Sequence, residues 1–91
     1  MWMRHARPGD LDRVEPLLER LRKIAGLREK SRGVFYRGTK AFLHFHEDDG
    51  SIYADARLGG DFERFPATTV SEQKQLVVAI VSTLGTSKSR P

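Results

Sequence analysis

The sequence predicts an α+β fold in the order helix, three-stranded antiparallel meander, C-terminal helix, with room for a short fourth strand. Apolar residues recur at helical spacing near each end of the chain, over residues 12–25 and 70–84. Between them, residues 40–58 alternate with a period of two around an Asp-Gly pair, the pattern of a β-hairpin. Ninety-one residues make one domain rather than two, with a single modest core, here taken as residues 1–84.

Residues 1–9 show no period and read as a loosely ordered segment, with Pro8-Gly9 as a break before the first element. Trp2 is expected to dock on the domain or on a second copy of it. The first helix is predicted over residues 12–25, where Val14, Leu17, Leu18, Leu21, Ile24 and Ala25 form one apolar stripe. Asp12 and Glu15 have the spacing of a capping box. A proline inside a helix costs about 3 kcal/mol but is tolerated in the first turn. Pro16 therefore sets the start at Asp12 or, with Pro16 at the first helical position, at Glu15. Gly26 supplies the stop, and residues 27–32 read as a charged connector.

A short strand is predicted over residues 33–37, closed by Gly38-Thr39 onto the hairpin. That register pairs Tyr36 with Ala41, Phe35 with Phe42 and Val34 with Leu43. In the hairpin, Asp49-Gly50 is a type I′ turn signal. Asp48 then faces Ser51, Glu47 faces Ile52, His46 faces Tyr53, Phe45 faces Ala54, His44 faces Asp55 and Leu43 faces Ala56. Side chains alternate across a sheet, so this register sorts them by face. Ala41, Leu43, Phe45, Ile52, Ala54, Ala56 and Leu58 make a core face. Phe42, His44, His46, Tyr53, Asp55 and Arg57 make a mixed polar and aromatic face, joined by Phe35. Phe62 and Phe65 read as plugs at the edge of the core, and Pro66 limits any fourth strand. Thr69 with Glu72 is a capping box for the second helix, whose apolar face is Leu76, Val77, Ile80, Val81 and Leu84. Gly85 is expected to end it, leaving residues 85–91 as a disordered basic tail.

Composition narrows the function classes. There is no cysteine, hence no disulfide framework and no thiolate metal site. No apolar run approaches the length of a membrane span, and the N-terminus lacks the apolar stretch of a secretory signal, so a cytoplasmic protein with no membrane partner is expected. The net charge of +4 is uneven, with eight basic residues and one acid between Arg20 and Lys40. Arg20, Arg22, Lys23, Arg28, Lys30, Arg32, Arg37 and Lys40 are therefore candidate contacts for nucleic acid, with Phe35, Phe42, Tyr53 and Arg57 as the aromatic and basic sheet face beside them. The competing reading is a solvated helix face in which Arg20, Arg22 and Lys23 suit the helix dipole. Phe35 and Phe42 are a large apolar area to leave in water, so the same face is also a candidate homodimer interface.

His44 and His46 share a strand face, with Asp55 across from them. Two histidines and a carboxylate can hold a divalent metal, and a His beside an Asp can act as a general base. The alternative is a polar outer face with one cross-strand ion pair. No third strong ligand and no nucleophile is indicated, so the sequence assigns no metal, no cofactor and no enzymatic activity. GxGxxG, P-loop, GxSxG, HExxH and CxxC patterns are absent.

From Leu17 to Leu58 a helix ending LRKIAGL, a charged connector and GVFYRGTKAFLHFHEDDGSIYADARL follow one another. This order resembles the front half of the MmcQ/YjbR-like bacterial domains and the N-terminal domain of TfoX-like proteins. The resemblance implies a bacterial, intracellular α+β domain with no established chemistry. Past Leu58 the chain departs from that pattern, going almost directly to its last helix. The function expected is a small cytosolic binding or interaction domain, with nucleic-acid binding through residues 20–40 and the aromatic face as the alternative.

Overall fold

The computed structural model describes residues 4–88. β1 (Arg4–His5), α1 (Pro8–Asp12) and α2 (Glu15–Arg22) open the chain. β2 (Arg28–Ser31), β3 (Val34–Arg37), β4 (Lys40–Asp48), β5 (Ser51–Ala56), β6 (Glu63–Pro66) and α3 (Val70–Lys88) follow. The strands form one six-stranded antiparallel sheet in the order β2-β3-β4-β5-β6, with β1 added against β4. The α+β class predicted from the sequence is the class observed. The expected docking of Trp2 lies outside the described residues.

The β4–β5 hairpin has the predicted register, from Leu43 opposite Ala56 to Asp48 opposite Ser51. Its turn is made by Asp49 at φ 54° and Gly50 at φ 87°, the two positive values a type I′ turn requires. β4 is nine residues long and serves three neighbours. β5 takes one edge. On the other edge β3 pairs with its first part and β1 with His46 and Glu47 near its end. Residues 4–12 are thus a strand and a helical turn rather than loosely ordered chain. Ala6 N–H continues the β1 ladder to Phe45 O at 3.1 Å. Arg4 reaches Asp10 at 2.9 Å and Glu47 at 3.1 Å.

The β3–β4 register corrects the predicted one. Arg37 faces Lys40 and Tyr36 faces Ala41, but Phe35 then faces Leu43. Phe42 is the extra residue of a β-bulge, which breaks simple alternation. Phe35 and Phe42 are 0% and 2% exposed and belong to the one apolar core. The surface they were expected to form, for bases or for a second copy, is therefore filled by the protein itself.

Two helical pieces replace the single first helix. Pro16 sits in the first turn of α2, and Val14 caps it at φ −116° and ψ 18°, outside helical geometry. The Glu15 start is the observed one. Asp12 caps nothing. Instead Asp10 accepts the Arg7 backbone N–H at 2.9 Å at the start of α1. α2 ends at Arg22, and Gly26 turns the chain at φ 95°.

The expected connector after it contains β2, an edge strand made of REKS. Charged side chains hold β2 in place. Arg22 pairs with Glu15 and Glu29, and Arg32 pairs with Asp12 and Glu15. β6 is the short extra strand expected after the hairpin, fifth in the row because β2 precedes β3, and its Phe65 packs against the core. Phe62 does not plug the core. It is 39% exposed and lies against His44.

The α3 capping box forms as predicted, with Glu72 N–H donating to Thr69 Oγ1 at 3.1 Å and Thr69 N–H to Glu72 Oε1 at 3.0 Å. The helix continues past Gly85 to Lys88. A glycine weakens a helix by about 1 kcal/mol without removing a hydrogen bond, so it is not an obligatory stop. No helix among the described residues is long and apolar enough to cross a membrane.

Leu17, Leu18 and Leu21 of α2 and Leu76, Ile80 and Leu84 of α3 join Leu43, Phe45, Ile52, Ala54 and Ala56 of the sheet in one core. Burying each leucine contributes roughly 1.5–3 kcal/mol, which fixes the helices on this sheet face. Leu58 packs at its margin, while Ala41, opposite Tyr36 beyond the bulge, is partly buried but does not join the core as expected. The opposite face carries the hydrogen-bonding and charged side chains.

Candidate metal centre

The chain has three histidines, and all three meet on the sheet face away from the helices. His44 and His46 are two apart on β4 and so point the same way. β1 places His5 directly opposite His46. The ring centroids lie 4.8 Å apart for His5 and His46, 4.9 Å for His44 and His46, and 6.0 Å for His5 and His44. One nitrogen from each ring falls within 4.8 Å of the others. Zinc–imidazole bonds of about 2.1 Å in a tetrahedron need nitrogens about 3.4 Å apart. Of the three rings only His5 is exposed. A cavity of about 60 Å³ adjoins His5 and His44, but it is lined also by Leu11, Arg32, Val34 and Phe45 and not by His46, so it lies beside the cluster rather than at its centre.

Burial sets the protonation state. It holds the His44 imidazole below its ordinary range, helped by the neighbouring His46. Burial also lowers His46, against the opposing pull of Asp55. Burial thus favours the neutral imidazole at both, the form that coordinates a metal. Nδ1 of His44 and both ring nitrogens of His46 are buried with no hydrogen-bond partner. An unsatisfied buried polar atom costs about 1–3 kcal/mol, and a bound cation would remove that cost at each nitrogen it meets.

Asp55 lies beside this cluster, 8% exposed. Arg64 of β6 is opposite it and donates from Nε to Oδ1 at 2.9 Å and from Nη2 to Oδ2 at 3.0 Å. These bonds hold the Asp55 carboxyl well below the usual carboxylate range. Asp55 Oδ2 is also 3.0 Å from His46 Nε2. The direction misses that of a ring N–H bond, so the contact is electrostatic rather than a formed hydrogen bond. Phe62 meets His44 edge-on at 5.1 Å, and the Arg57 guanidinium lies 4.3 Å above Phe62.

His44, His46 and Asp55, the residues considered for a metal from the sequence, are thus brought together. The third histidine of the cluster, His5, was missed because its strand is two residues long and pairs with a partner 41 residues away. The count of histidines was the one available signal.

The residues considered for nucleic acid do not gather into one surface. Phe35 and Phe42 are core. Arg22 and Arg32 are committed to carboxylates, and Arg57 bonds to the carbonyls of Ala41 and Gly60. Arg20 and Lys23 are exposed on or next to α2, in the helical layer, while Tyr53 lies beside His46 on the other face. Arg28 and Lys30 cover Tyr36, with the cations 5.9 and 4.7 Å from its ring centre. Arg37 and Lys40 face each other at the β3–β4 turn. No family model matches the chain, and no curated protein or solved structure matches it either.

Proposed function

We propose that this is a small binding domain, not an enzyme, whose ligand is a divalent transition-metal ion held by His5, His44 and His46. The observation that carries the reading is the convergence of one nitrogen from each of the three rings within 4.8 Å. All-imidazole ligation suits zinc, copper or nickel and not magnesium or calcium, which prefer oxygen. Zinc is the first candidate because neutral imidazole nitrogen is among its usual ligands. Binding is favoured over catalysis because the adjacent carboxylate, Asp55, is already committed to Arg64 and is not a free general base. A cysteine-free chain suits the reducing cytosol in which the proposal places it.

The test is a thermal melt of the metal-free chain with zinc and with magnesium. Zinc at a hundred times its dissociation constant adds about 2.7 kcal/mol, which for a domain of this size raises Tm by on the order of 10 °C. Magnesium is expected to do nothing. A Tm that zinc leaves unmoved, with no heat in calorimetry, removes the reading.

A second reading, weak binding of a polyanion such as single-stranded nucleic acid, is favoured by Arg28 and Lys30 beside Tyr36 on the same face. It requires oligothymidine affinity that falls steeply with salt and is lost in an Arg28→Glu, Lys30→Glu variant. Salt-insensitive or absent binding rejects it.

A further inference from the structure

A cavity of about 210 Å³ lies where β3 turns into β4 and where β5 runs out. Three cations line it, Arg37, Lys40 and Arg57, beside apolar Ala41 and Leu58 and the backbone of Gly60. None of its lining residues is acidic. Residues 30–46 contain no acid at all, so the β3–β4 hairpin supplies no counter-charge from its own strands. Asp55, two residues before Arg57, is held by Arg64. Asp61 is exposed and lines no part of the cavity.

Arg57 is the unusual member of this set. Among the described arginines only Arg4 and Arg57 are partly buried. Arg4 meets two carboxylates, those of Asp10 and Glu47. Arg57 instead donates from Nε to Ala41 O and from Nη1 to Gly60 O, both at 3.1 Å. Both carbonyls belong to residues that line the cavity, so the guanidinium stands at its wall. The Phe62 ring covers one face of the group, its centre 4.3 Å away. Carbonyl dipoles orient a guanidinium without cancelling its charge, and both hydrogens of Nη2 stay unused. A partly buried charge without a counter-ion is costly, and an anion in the cavity would offset that cost. Lys40 is exposed and makes no hydrogen bond or ion pair among the described residues, so it is free to close on the same anion.

We propose that this cavity binds a compact phosphate dianion, either inorganic phosphate or the phosphate end of a small phosphomonoester, through Arg57, Lys40 and Arg37. A phosphate group carries a charge of about −1.5 to −2 at pH 7 and several acceptor oxygens, so a single group can satisfy more than one cation. Arginine offers it a planar, pre-set fork, and lysine a mobile point charge. The cavity is smaller than the roughly 300 Å³ at which pockets for drug-sized ligands begin, which suits a compact anion. A nucleic-acid backbone carries one charge per phosphate and matches a line of cations rather than three around one cavity. The cavity shares no residue with the histidine cluster, so the proposal does not depend on metal binding.

The experiment is an NMR titration of the full chain, following backbone amides and arginine Nε–H groups. Inorganic phosphate is added at neutral pH while sodium chloride is reduced to hold the ionic strength constant. Saturable shifts at residues 37–41, Arg57 and Gly60 that fit one dissociation constant are expected. Lys40→Gln removes a charge that holds nothing in the fold, so it is expected to leave the melt unchanged and to weaken phosphate binding about tenfold. Arg57→Gln is expected to weaken it at least as much. Glycerol phosphate is the second probe: tighter binding than inorganic phosphate identifies the phosphomonoester as the source, and equal or weaker binding the free ion. The absence of a saturable shift overturns the proposal, as do shifts spread over Arg28, Lys30 and the other surface cations. Unchanged affinity in Lys40→Gln also overturns it, and that variant loses no contact needed for folding. Oligothymidine that displaces phosphate from the same residues at a lower phosphate concentration assigns the cavity to a nucleic-acid backbone and overturns the small-anion proposal.

Discussion

Phe42 shows how one residue can reverse the reading of a surface. By strict alternation it stands on the polar face with His44 and His46, where truncation would cost little. The bulge opposite Phe35 instead carries it into the core, 2% exposed. Phe42→Ala is therefore expected to destabilise the fold by about 3–5 kcal/mol, because it removes a buried ring and leaves a cavity. Urea denaturation decides this, and a change below about 0.5 kcal/mol would place the ring in solvent after all. Nothing local in the residues 33–43 announces the bulge. Their apolar and aromatic side chains fit either pairing, and only the demand of the core for both phenylalanines selects one. The hairpin turn is the opposite case, since Asp49-Gly50 needs two positive φ values that few other pairs tolerate. There the residues alone determine the register, and with it the shared face of His44 and His46.

Elements differ in the same way. α3 was legible because its cap and its apolar stripe are both local. β1 and β2 were not: neither has an apolar period, β1 pairs with a distant strand, and β2 is a charged edge strand against its neighbour β3. Glu29 is central to β2, bonding Arg22 of α2 and accepting the Gly33 N–H at 2.9 Å. The Arg22 hydrogen bond is the main reason its carboxyl lies below the ordinary range, with the Gly33 bond a smaller one. A carboxyl lowered in the fold contributes stability above its unfolded pKa and loses it as pH falls through the folded value. The Gly33 amide is thus expected to lose hydrogen-exchange protection as pH drops below about 4, and to lose it at neutral pH in Glu29→Gln. Protection that ignores both changes would show that backbone pairing alone holds the strand. β1 carries a separate expectation. His5 is exposed, so His5→Ala should alter stability by no more than about 0.5 kcal/mol while it weakens zinc binding at least tenfold. Equal zinc affinity in that variant would exclude β1 from the site.

The whole molecule separates its two tasks by sheet face. The core lies between the sheet and α2 and α3, and it is complete without any contribution from the histidines. The proposed metal site occupies the other face, built from side chains that project from strands the core already fixes. This division predicts how metal and folding are coupled. In domains too small to form a core, binding and folding are one event, and a chelator unfolds the chain. Here the apo chain has its own apolar core, so chelation should leave the far-ultraviolet circular dichroism intact and the melt cooperative. Zinc should then raise the denaturant midpoint and leave the slope m unchanged, because the surface exposed on unfolding is the same with and without the ion. A steeper m with zinc would mean that the ion orders additional chain, most directly β1 and the segment leading into α1. Loss of helical and strand signal on chelation would mean that the polar face, and not the core, decides whether this sheet forms.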